Sequence, residues 1–70
     1  MSRSLNERII EATRKSLEGK IELHKVNLEI MLYNQVGVAE HPDVMEHFEQ
    51  ELGKIAEFED KLETLNKHFS

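Results

Sequence analysis

The stretch NQVGVAEHPD, residues 34–43, divides the chain. It holds the only proline and one of three glycines, and no periodic apolar pattern runs through it. Gly37 can take the left-handed conformation that reverses a chain, and Asn34 is a second candidate for that position. Pro42 disfavours helix at His41 and suits the start of a new helix. The sequence on either side reads as helix. A short break between two helices of similar length predicts an all-α fold, an antiparallel two-helix hairpin in one domain, residues 1–70.

Toward the N-terminus, the spacing predicts a helix over about 4–33. Ser4-Leu5-Asn6-Glu7 fits a capping box, in which Ser4 accepts from the Glu7 N–H and the Glu7 side chain returns to the Ser4 N–H. No proline interrupts the run to Tyr33, and Glu11–Lys15 is an i, i+4 pair in the favourable order. Toward the C-terminus, a second helix is expected over about 43–68, leaving a loop over about 34–42. Pro42 fits as its first residue, and Asp43 fits equally as its N-cap with Glu46 as box partner. Glu57–Lys61 and Glu63–Lys67 support the exposed face, and Lys67 and His68 suit the negative end of the helix dipole.

The apolar pattern sharpens this picture. In the second helix, Val44, Phe48, Glu51, Ile55, Phe58, Leu62, Leu65 and Phe69 alternate spacings of four and three, a heptad seam with one polar member. In the first, Leu5, Ile9, Ala12, Ser16, Gly19, Leu23, Val26, Ile30 and Tyr33 keep the same spacing. Set antiparallel, the two seams bring Val26 to Glu51, Gly19 to Phe58 and Ser16 to Leu62, each small residue facing a large one. On this reading Gly19→Leu overpacks the contact.

A second stripe remains on the first helix: Ile10, Leu17, Ile21, His24, Leu28 and Met31, widened by Leu32. It lies about 150° around the helix from the first. Met45, Leu52 and Ala56 flank the seam of the second helix. These ten residues are the expected oligomer interface, because one hairpin cannot cover both stripes. The simplest cover is a second copy, giving a homodimeric four-helix bundle. Val36 and Val38 in the loop are candidate contacts for another protein, or a plug over the end of the core.

Composition bounds the function. The chain has no cysteine, so disulfides and thiolate metal sites are excluded. No apolar run is long enough for a membrane span or a signal peptide, which predicts a cytoplasmic protein with no membrane partner. Net charge is −5, unevenly spread. Residues 1–35 carry +1, from six basic against five acidic side chains, and residues 36–70 carry −6, from three against nine. The acidic balance argues against nucleic acid, although Arg3, Arg8, Arg14 and Lys15 at the start of the first helix form the alternative reading of a nucleic-acid accessory protein. Glu7, Glu11 and Glu18, interleaved with those bases, count against it.

Metal and catalytic chemistry find little support. Glu40, His41, Asp43 and His47 are residue types that zinc takes, but they lack the H-E-x-x-H arrangement. No acid stands three residues before any of the four histidines, so the E-x-x-H motif of di-iron bundles does not occur. No serine has a recognisable base and orienting acid, and no glycine-rich phosphate loop is present. No cofactor and no enzymatic activity are expected.

The runs VGVAEHPD and ELGKIAEFEDKLETLNKHF, together with GKIELHKVNLEI, resemble short proteins encoded by tailed phages of marine cyanobacteria. The resemblance implies a small phage-encoded accessory protein and carries no site residues. The function expected is a non-enzymatic, homo-oligomeric interaction or assembly module.

Overall fold

The computed structural model describes residues 4–33 and 43–70. Two helices form, α1 over Leu5–Tyr33 and α2 over Asp43–Phe69, and the described residues contain no strand. At the N-terminus of α1 one half of the expected capping box forms, and the return bond from the Glu7 side chain to the Ser4 N–H is not among the hydrogen bonds of the described residues. Glu7 N–H donates to Ser4 Oγ at 3.2 Å, and Arg8 N–H donates to the Ser4 carbonyl at 3.0 Å. A side-chain oxygen here satisfies a donor that no helical carbonyl can reach. α2 begins with Asp43 and Glu46 in its first turn and ends with Lys67 and His68 in its last, each suited to the local end of the dipole.

The helices pack side by side and run antiparallel. Arg14, early in α1, reaches Asn66, late in α2, while Asn27, late in α1, reaches Glu51, early in α2. The cross-section is 20 × 12 Å, one helix layer thick. A single layer can shield only the side chains that lie along the line of contact. Accordingly, among the described residues only Leu17 and Leu28 are buried, at 7% and 9% exposure.

The α2 seam faces α1 as its spacing predicts. Val44, Phe48, Glu51, Ile55, Phe58, Leu62 and Leu65 are all half-buried, and Phe69 at the helix end is exposed. The face of α1 that meets them is the opposite of the one expected. Ile10, Leu17, Ile21, His24, Leu28 and Met31, assigned above to an interface between chains, are buried or half-buried inside the hairpin. Arg14 fills the gap in that row, so it too follows a strict alternation of four and three. The stripe expected to face α2 points outward. Gly19 meets nothing within 4 Å, so the expected contact with Phe58 is not made.

The physical reason is Glu51. Facing the first stripe, its carboxylate would lose water against Val26 and gain no donor, which is costly. With α1 turned to its other face, Glu51 meets His24 and Asn27 instead. The alignment along the helices is nearly the expected one, since Asn27 takes the place foreseen for Val26. The rotation of α1 about its axis is what differs. The row turned inward also has the larger side chains at its centre, where burial removes the most apolar surface.

Candidate interaction surface

Two features of the hairpin bear on function: a polar pair inside the seam and an uncovered face outside it. The pair comes first. His24 Nδ1 hydrogen-bonds Glu51 Oε2, and Asn27 Nδ2 donates to the same oxygen at 3.4 Å. A carboxylate only accepts, so the imidazole nitrogen is the donor. These donors, His24 foremost, hold the Glu51 carboxyl below its ordinary value of 4.5, while desolvation pushes the other way and the charges of His24 and Lys54 add to the lowering. On its other side His24 stacks on Phe58, ring centroids 5.7 Å apart and planes 23° from parallel. The Phe58 ring also carries two cations, Lys20 Nζ at 5.4 Å and Lys61 Nζ at 5.7 Å from its centre. Lys61 therefore lies over its neighbour's ring, and the expected Glu57–Lys61 ion pair is not among those formed. His24, Asn27, Glu51, Phe58 and the two lysines make a polar stitch between helices.

The polar groups of the stitch are turned on one another. Its histidine and carboxylate satisfy each other, and no buried side-chain polar atom among the described residues lacks a partner. No three metal-ligating side chains converge among the described residues. Asp43 and His47 are exposed on α2, while Glu40 and His41 lie outside the described residues, as do Arg3, Val36 and Val38. Of the basic residues at the start of α1, Arg14 is engaged. Its Nη1 bonds Glu11 Oε2 at 2.6 Å and its Nε donates to Asn66 Oδ1 at 2.9 Å. Glu11 is thus drawn to Arg14, and the expected Glu11–Lys15 pair does not form.

The uncovered face is the outer stripe of α1. Leu5, Ile9, Ala12, Ser16, Gly19, Leu23, Val26, Ile30 and Tyr33 are all exposed. Leu23 stands at 58%, Ile30 at 53% and Ile9 at 54%. Nine residues at strict heptad spacing form a coiled-coil seam that the described residues leave exposed. Beside it Leu32 is 52% exposed, and on α2 Met45, Leu52 and Ala56 are exposed as well. Of the ten residues assigned to an interface between chains, these four remain at the surface and the other six are used within the hairpin. The seam itself was legible as a heptad. What betrays its outward direction is that Val26, with Leu23 and Ile30 on either side, offers no donor at the place opposite Glu51.

Comparison with protein-family models, with curated proteins and with solved structures returns no match to this chain.

Proposed function

We propose that this protein is a non-enzymatic assembly module, a helical hairpin that associates with a second copy of itself through the outer seam of α1. The observation that carries this reading is the exposed nine-residue heptad seam. Isolated apolar side chains on a surface need no explanation, but a contiguous stripe in coiled-coil register marks a contact face. Surface area supports a second copy as the occupant. The chain exposes 5796 Å², whereas a compact monomer of this mass exposes about 4,500 Å². The excess, about 1,300 Å² spread over the elongated chain, leaves room for the roughly 800 Å² each partner contributes to a standard interface. The resemblance to phage-encoded proteins adds the context of a small accessory component, and no helix among the described residues is long and apolar enough to cross a membrane.

Sedimentation of the full chain at tens of micromolar tests the reading. The wild type should sediment as a dimer, and Leu23→Glu with Ile30→Glu should sediment as a monomer. A wild-type monomer at that concentration overturns self-association.

A further inference from the structure

Resting on that self-association, we infer that the two copies pair antiparallel along α1, with Gly19 of one copy set against Leu23 of the other. One flank of the outer seam carries Arg8, Lys15, Glu22 and Glu29, seven residues apart and therefore in one row. The row is basic in its first half and acidic in its second. All four residues are exposed, and Arg8, Lys15 and Glu29 form no ion pair within the hairpin among the described residues. In an antiparallel pair of helices the same flank of each faces the other end for end. With Gly19 against Leu23 the facing positions sum to 42, so Lys15 of each copy falls nearest Glu29 of its partner, while the two Glu22 side chains, each already paired with its own Lys25, flank the axis. Flanking charges of this kind set orientation in coiled coils.

Side-chain volume selects the same arrangement independently. The seam is small in its first half, at Ala12, Ser16 and Gly19, and large in its second, at Leu23, Val26 and Ile30. Antiparallel pairing with Gly19 against Leu23 also sets Ser16 against Val26, Ala12 against Ile30 and Ile9 against Tyr33. Every small side chain faces a large one, which fills the contact at normal density. Parallel pairing sets Gly19, Ser16 and Ala12 each against itself and leaves three successive layers hollow. The antiparallel pair yields a slab of four helices in the order α2, α1, α1, α2, closed by a two-fold axis near Ile21.

Spin labels read this directly, because the chain has no cysteine of its own to compete. Two single-cysteine variants, Glu7→Cys and Lys25→Cys, are labelled in the full chain, and the label–label distance is measured by pulsed electron resonance. Both positions lie off the seam and off the charged row. Antiparallel pairing puts the Glu7→Cys labels about 40 Å apart and the Lys25→Cys labels about 20 Å apart, from the rise of a helix and the spacing of packed helices. A dimer with both distances below about 25 Å is parallel, which overturns this inference and leaves self-association standing. A monomer by sedimentation, with no measurable distance for either label, overturns both. Circular dichroism of each labelled variant, matching the wild type, shows that the hairpin is intact.

Discussion

Glu51 is the one polar member of the α2 seam, and its bond to His24 makes a pH dependence that can be stated with its sign. The folded-state carboxyl is held below its ordinary value of 4.5, chiefly by His24. A depressed acid contributes stability that is fully present above its unfolded value and is lost as pH falls through its folded value. The difference in melting temperature between wild type and Glu51→Gln should therefore be steady above about pH 4.5 and shrink below it. A difference that grows on acidification would contradict the pairing. Gly53 offers a second test at this scale. It sits inside α2 with nothing within 4 Å of an added Cβ. Gly53→Ala should raise stability by about 0.5–1 kcal/mol, measured by urea unfolding, because alanine loses less backbone freedom in a helix. Gly19 is equally open within the hairpin. Gly19→Leu should accordingly leave the monomer's helicity unchanged while abolishing the dimer, which sedimentation separates from unfolding.

At the scale of the element, α1 has two seams with the same period and different tasks. Leu17, on the inner row, is 7% exposed, so Leu17→Ala should cost about 2–4 kcal/mol at any protein concentration. Leu23, on the outer row, is 58% exposed. Leu23→Ala should change the melt only at concentrations where the dimer is populated, and melts at two concentrations distinguish the two variants. This doubling explains what the sequence discloses. The start of α1 is legible because Ser4 and Glu7 are a local device. The α2 seam is legible because α2 has one continuous apolar row, with Met45, Leu52 and Ala56 only scattered beside it. The orientation of α1 is harder to read, because apolar period alone cannot choose between two heptad rows. Arg14 interrupts the inner row and hides its regularity. The polar members decide the matter: Glu51 needs a donor, and only the inner row supplies a histidine opposite it. A pattern scored by hydrophobicity treats those residues as blemishes.

Taken whole, the molecule is one layer thick and leaves much of its apolar surface uncovered. Folding and association should then be linked, and the melting temperature should rise with protein concentration. Added salt should weaken the dimer, since Lys15 and Glu29 of the two copies meet at the solvent-facing rim, where charges are screened within about 10 Å at 0.1 M. Sedimentation across a salt series measures that slope. A strict heptad also carries a hazard. Sliding α2 by seven residues, about 10 Å, along α1 keeps the remaining apolar layers in step and gives up only the contacts of the terminal heptad. The slipped alignments would set Glu51 against Leu17 or Met31 and strand its charge. The bond between His24 and Glu51 thus acts as a registration mark, and the length of the connection between the helices need not serve as one. Glycine and serine inserted between residues 34 and 42 should leave the two helices aligned as before, with the energetic coupling of His24 to Glu51 unchanged in a double-mutant cycle. Lineages carrying this hairpin could then gain or lose connecting residues freely, so long as that one histidine and that one carboxylate change together.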